Sequence, residues 1–146
     1  MKVVKLSKGD SETLSRLCDL YNEVFDEDLG KPVASHFDDL LNNHSILFFV
    51  VLNDSNDVIA GLTAHVLYNI HYSDPALYIY DIAVKQHLQR KGIGSMLLGE
   101  VLEYCKANNF QEVFVQADKE DEHAVNFYRR SRGEEKDVFD YSFRLK

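Results

Sequence analysis

At 146 residues, with 45% hydrophobic and 27% charged side chains, the chain has the size and balance of one ordinary soluble globular domain, residues 1–146. Its net charge of −8 excludes a general nucleic-acid binder, which needs surplus Lys and Arg to neutralise phosphate. No apolar run reaches the ~20 residues of a membrane span and no apolar leader core opens the chain, so a cytoplasmic protein with no membrane partner is expected.

Val3 to Leu6 reads as a short strand, ended by Ser7-Lys8-Gly9-Asp10. Asp10 or Ser11 then caps a helix whose apolar residues Leu14, Leu17, Cys18, Tyr21, Val24 and Phe25 recur near a 3.6 period. It stops before the acidic group Asp26-Glu27-Asp28 and Gly30. A shorter helix follows Pro32, with Phe37, Leu40 and Leu41 on one face. Ile46 to Leu52 is continuously apolar, as in a strand covered on both faces. Asn53 to Asp57 is turn-forming, and Val58 to Tyr68 returns as a strand in which Gly61 marks a bulge or a close approach.

The loop from Asn69 to Ala76 leads into a central strand, Leu77 to Val84. Gln89-Arg90-Lys91-Gly92-Ile93-Gly94-Ser95 then opens a helix whose inward stripe is Ile93, Leu97, Val101, Leu102 and Cys105, stopped by Asn108-Asn109. Val113 to Ala117 is a further strand. After the charged segment Asp118 to Glu122, a short helix carries Ala124, Phe127 and Tyr128, with Gly133 as its C-terminal residue. Val138 to Leu145 alternates apolar and polar residues and reads as a last strand. The expected order is β-α-α-β-β-β-α-β-α-β, a mixed α/β chain.

The chemistry is concentrated at Gly92 and Gly94. Missing Cβ atoms there let a ligand approach the backbone, and amides opening the helix lack intrahelical partners and face the positive end of its dipole. Such a turn binds phosphate groups, and Arg90 and Lys91 add charge, although an ordinary strand-to-helix loop has the same spacing. The two cysteines, Cys18 and Cys105, are expected to be free thiols, and the six histidines show no zinc-like spacing, so no metal is expected.

From Gln89 to Gly94, together with Ala124-Val125-Asn126-Phe127-Tyr128 and Gly133, the chain resembles the GNAT superfamily of acyl-CoA-dependent N-acetyltransferases. The resemblance implies a mostly antiparallel mixed sheet, splayed at the central strand, with helices on both faces. Tyr78 to Val84, Val115-Gln116-Ala117-Asp118 and Phe139-Asp140-Tyr141 are also similar to the aminoglycoside 3-N-acetyltransferase branch. Two positions depart from the family pattern. Ser131-Arg132-Gly133-Glu134 replaces its usual Leu-Gly-Phe ending, and Asp121 stands where an Asn is frequent.

The resemblance implies acetyl-CoA as cosubstrate, its pyrophosphate on the backbone between Arg90 and Ser95 and its pantetheine arm beside Ile82, Ala83 and Val84. Gln89, Arg90, Lys91, Gly92, Ile93, Gly94, Ser95 and Tyr128 complete the expected cofactor-binding set. An amide near Ile82 to Val84 would hold the thioester carbonyl, and a substrate amine would attack directly. Tyr128 stands where the family often has a general acid, and it serves equally well as a packed aromatic that hydrogen-bonds sulfur. Asp81 is read as a carboxylate that binds a cationic amine and takes its proton. His65 and His71 flank a loop expected to overhang the acceptor, where ordinary surface or core roles compete with a substrate contact. The acceptor is expected to be a small cationic amine, with aminoglycosides leading. A protein or peptide amine, and a non-catalytic acyl-CoA-binding module, are the alternatives. Members are often dimeric, so a homodimer is compatible with the reading.

Overall fold

The structure is a computed structural model describing residues 1–146. It falls into two units, residues 1–116 and 117–146, taken in turn.

The first unit is built on a five-stranded sheet of order β1-β2-β3-β4-β5: β1 (Lys2–Lys5), β2 (Ile46–Leu52), β3 (Val58–Leu67), β4 (Ala76–Val84) and β5 (Glu112–Val115). The first four strands run antiparallel and β5 runs parallel to β4. Helices α1 (Ser11–Val24) and α2 (Ala34–Asn42) precede β2, and α3 (Ile93–Ala107) makes the crossover that a parallel β4–β5 pair requires.

Side-chain alternation sends the two faces of β2 and β3 into different cores. Phe48 and Val50 join Leu14, Leu17, Leu20 and Phe37 under α1 and α2. Phe49 points the other way, its ring edge-on to Tyr104 of α3 at 5.5 Å. This is why β2 is apolar at every position, with Leu47 to Val51 all buried. Gly61 is the close-approach point. A Cβ there would come within 2.1 Å of Leu17 Cδ1, so α1 packs onto bare backbone.

Helix α1 ends as expected, with Asp26 in the left-handed region (φ 51°) and the Glu27 amide donating to Asn22 O at 3.1 Å. Its start differs, because the Asp10 carboxylate accepts from the Ser7 amide at 2.8 Å instead of capping the helix. The inward stripe of α3 is Ile93, Leu97, Leu98, Val101 and Cys105, with Leu98 buried in place of the expected Leu102. Cys105 is buried and Cys18 half-buried, both as free thiols. Burial pushes the Cys105 thiol up to about 11, far from a reactive thiolate.

The second unit holds α4 (Glu122–Arg130) and the chain after it. The Asp121 side chain accepts from the Ala124 amide at 3.1 Å, so the residue standing in place of the family's Asn is the N-cap of α4. At the other end the left-handed residue is Arg132 (φ 64°), not Gly133. The Gly133 amide reaches Tyr128 O and the Arg132 amide reaches Arg129 O, both at 3.1 Å, a Schellman arrangement displaced one residue from the glycine.

The expected last strand, Val138 to Leu145, does not form. A strand exists through its ladder, and within the second unit this segment finds no partner strand. Its apolar residues are exposed, Phe143 to 87% and Leu145 to 91%. No helix is long and apolar enough to cross a membrane.

Candidate functional site

The site in the first unit is set by one extra residue in β4. Thr63 pairs with Asp81 but Ala64 pairs with Ile79, so Tyr80 is an unpaired bulge. Before the bulge, Leu77 and Ile79 turn into the core at 0% and 1% exposure. After it, the alternation is reset, and Asp81 shares a face with its partner Thr63, toward α1.

The bulge also marks where the sheet opens. β5 pairs with β4 only from Ala76 to Ile79, and residues 80–84 have no neighbour on that edge. The Lys85 amide donates to Ile59 O at 2.9 Å, which fixes the direction of alternate backbone groups. Ala83 and Asp81 therefore face β3, whereas Ile82 and Val84 turn their main-chain groups to the open edge. Val84 O is already engaged, accepting from Gln89 Nε2 at 3.0 Å. Gln89, expected as a direct cofactor contact, is thus tied to the strand it follows.

Beyond Gln89 the chain turns through two left-handed residues, Arg90 (φ 62°) and Gly92 (φ 83°). A Cβ on Gly92 would meet nothing within 4 Å, so its φ, rather than crowding, is what selects glycine. Gly92 is the N-cap of α3, and the first helical bond is Met96 N–H to Gly92 O at 2.9 Å. The amides of Ile93, Gly94 and Ser95 lie ahead of that bond, and no side chain caps them. Ile93 is buried at 5% exposure and anchors the turn, while Arg90, Lys91 and Ser95 are exposed. The result is a ready set of donors beside two cations, which fits a phosphate-bearing ligand.

On the sheet face toward α1, Asp81 is half-buried. Burial, and secondarily the Glu27 charge, raise its carboxyl above the ordinary value, with His65 pulling the other way. Tyr21 OH and Thr63 Oγ1 share a hydrogen bond of 2.9 Å, and Thr63 is the chain's buried polar residue. Burial pushes the Tyr21 phenol well up, opposed by the Thr63 bond and reinforced by the Asp81 charge.

An aromatic row continues along the face. His65 sits edge-on to Tyr80 at 5.5 Å, Tyr80 edge-on to Tyr78 at 6.0 Å, and Tyr78 stacks on Phe114 at 5.0 Å. Tyr78 OH donates to Gln116 Oε1 at 2.9 Å. The sequence reading missed Tyr21 and Thr63. Tyr21 was counted in a core stripe, and the signal available was a lone Thr inside an apolar strand. His65 belongs to the aromatic row on β3, while His71 lies in the exposed loop with its ring against Tyr72.

Tyr128 stands on α4 in the second unit. Burial, then the Asp121 charge, push its phenol up to about 12, so it keeps its proton at neutral pH. No group of three or more His, Cys, Asp or Glu is arranged to hold a metal ion.

The Acetyltransferase (GNAT) family model matches residues 14–133. An aminoglycoside acetyltransferase, meta-AAC0020, from an uncultured soil metagenomic sample is 35% identical, with a TM-score of 0.95 over 99% of this chain and 96% of that one. That protein has been solved in complex with trehalose and in complex with sisomicin. A second soil aminoglycoside acetyltransferase, HMB0005, is 25% identical with a TM-score of 0.93, over 99% of this chain and 98% of that one. The uncharacterized protein YxbD of Bacillus subtilis (strain 168) is 26% identical over 112 residues, 77% of this chain and 65% of its own length.

Proposed function

The chain belongs to the GNAT acetyltransferase family, and on that premise we propose that it transfers acetyl from acetyl-CoA to a primary amine of a small cationic molecule. An aminoglycoside, acetylated at its 3-amino group, is the leading acceptor, and antibiotic resistance would be the outcome. In this reading residues 1–146 act as one catalytic domain.

Acetyl-CoA supplies an acetyl group activated as a thioester. The amides of Ile93, Gly94 and Ser95 hold its pyrophosphate, with Arg90 and Lys91 adding charge from the same turn. Gln89 braces this turn through Val84 O, and the open edge at Ile82 and Val84 takes the pantetheine arm, with Ala83 between them. A main-chain N–H on that edge donates to the thioester carbonyl as negative charge develops. Tyr128, protonated at neutral pH, donates to the departing sulfur.

Asp81 carries the reading. It is a half-buried carboxylate with a raised pKa on the strand whose edge is open, flanked by Glu27. An ammonium acceptor pairs with that charge and must lose a proton before it can attack, and a carboxylate above its ordinary value is a better base. The row His65, Tyr80, Tyr78 and Phe114 offers a flat, partly apolar surface on the same face, suited to a sugar ring. The net charge of −8 favours a polycationic acceptor.

The test is thiol release from acetyl-CoA with kanamycin, gentamicin, sisomicin, spermidine and an N-terminal peptide library as acceptors. Turnover on aminoglycosides alone supports the reading. Turnover on peptides alone replaces the acceptor, and tight acetyl-CoA binding with no transfer to any amine replaces the enzyme by a binding module.

A further inference from the structure

The sheet face toward α1 carries two hydroxyls that the proposed reaction does not use. Tyr21 comes from α1 and Thr63 from β3, and their oxygens lie 2.9 Å apart. The Tyr21 ring is held as well by Phe25, one helical turn on, stacked at 5.6 Å with 17° between the planes. Thr63 is buried at 8% exposure between Leu62 and Ala64, both fully buried. A buried hydroxyl costs stability unless its hydrogen bonds are made, and valine would fill the same shape without that cost. The position therefore holds an oxygen that packing does not require.

Counting protons shows what that oxygen is free to do. Two hydroxyls carry two protons, and their mutual bond uses one, whichever of the two donates. The other O–H is left over. Directly across the strand pair stands Asp81, the register partner of Thr63 on the same face, where Cβ atoms are about 4.5–5.5 Å apart. The other charged groups around Asp81 are Glu27, which follows α1, and His65 on β3. Glu27 repels the carboxylate, and His65 attracts it only while charged. Burial keeps the Tyr21 phenol protonated far above its ordinary range, so the hydroxyl pair remains a donor while Asp81 and His65 titrate.

We propose that Tyr21 and Thr63 form one positioning unit for Asp81, donating the unspent O–H to its carboxylate, directly or through one water, and fixing which oxygen meets the acceptor amine. This rests on Asp81 as the proton acceptor of the reaction proposed above. When the ammonium gives up its proton, an N–H bond breaks, the electron pair stays on nitrogen and the proton bonds an Asp81 oxygen. A hydroxyl accepts as readily as it donates, so the pair then turns to receive the new carboxyl O–H. It reorients without gaining or losing a proton. Tyr21 and Thr63 thus serve both protonation states of Asp81, which an acceptor-only carboxylate such as Glu27 does not.

The test uses the full chain and two readouts. One is the pH profile of kcat/KM for thiol release, and the other is titration of the Asp81 side-chain carboxyl carbon by NMR, assigned by its absence in Asp81→Asn. Tyr21→Phe and Thr63→Val each remove one hydroxyl, and the anion loses a donor. The acid limb and the carbon titration should both move to higher pH by about one unit, which is about tenfold in activity below the limb. The double variant should shift no further than either single one, because the two hydroxyls act as a unit. Thr63→Ser keeps the hydroxyl and should keep the unsubstituted profile. A carbon titration unmoved in both single variants overturns the proposal, as does a Thr63→Ser profile that matches Thr63→Val. A purely structural role would lower the melting temperature and leave both titrations in place. Full activity in Asp81→Asn removes the base, and the carbon titration still decides whether the hydroxyls hold Asp81. Should Thr63→Val fail to fold, Tyr21→Phe decides by the same two readouts.

Discussion

Residues 1–116 and residues 117–146 are held together by different physics. The first unit owns every buried apolar side chain, from Leu6 to Cys105, packed on both faces of one sheet. The second has no buried residue and carries backbone caps and surface ion pairs, Lys119 with Asp137 at 2.6 Å and Arg129 with Glu135 at 2.9 Å. Those pairs are more than half exposed, where a salt bridge is worth about 0–1 kcal/mol. A nine-residue helix such as α4 is marginal in water by itself. The contrast teaches that the first unit holds a buried core of its own, whereas the second holds none within it.

Substitutions sharpen the contrast, and the largest effect is expected on chemistry. Asp81→Asn keeps the shape of the residue but removes the carboxylate, so on the proposed role of that group as base kcat/KM in the thiol-release assay should fall by about 10²–10⁴-fold with the fold intact. Leu17→Ala empties a site with 0% exposure beneath Gly61 and should cost about 2–5 kcal/mol in urea unfolding. On the proposed role of the phenol toward the departing sulfur, Tyr128→Phe should lower kcat by about 10–100-fold with a smaller change in KM. Because that phenol sits near 12, no loss of activity from its ionisation should appear below pH 10. Asp121→Ala removes the cap of α4 and should cost about 1 kcal/mol, visible as faster amide exchange confined to that helix. An equal loss in residues 1–116 would break the contrast.

The smallest effect is a dependence on pH. The Asp81 carboxyl is raised in the folded state, so the native protein binds more protons than the unfolded one and stability declines as pH rises through the raised value. Asp81→Asn lacks this term and should melt higher than the unsubstituted chain at neutral pH. The advantage should vanish as pH falls toward the ordinary value of about 3.9.

Where a signal is local the sequence reads cleanly. The apolar run of β2, the left-handed stop at Asn109 (φ 59°) and the Gly92 turn all follow from composition within a few residues. The bulge at Tyr80 was invisible because Tyr78 to Val84 is uniformly strand-forming, and an extra residue shows only against the partner's register. Arg132, not Gly133, takes the left-handed site after α4, one residue earlier than glycine position alone suggested. Thr63 and Tyr21 meet across 42 positions, beyond any periodicity. The tail, Val138 to Leu145, alternates as a strand does but forms none, because a strand needs a partner that its own residues do not name.

The open edge after the bulge has a consequence for descent. What Ile82 and Val84 present there is main chain, and a main-chain amide survives every point mutation except one to proline. The face of the same strand toward α1 presents Asp81 as a side chain, which a single substitution can remove. On the proposed roles, one strand therefore pairs a donor surface made of main chain, nearly proof against substitution, with an acceptor surface made of side chains, which substitution can alter.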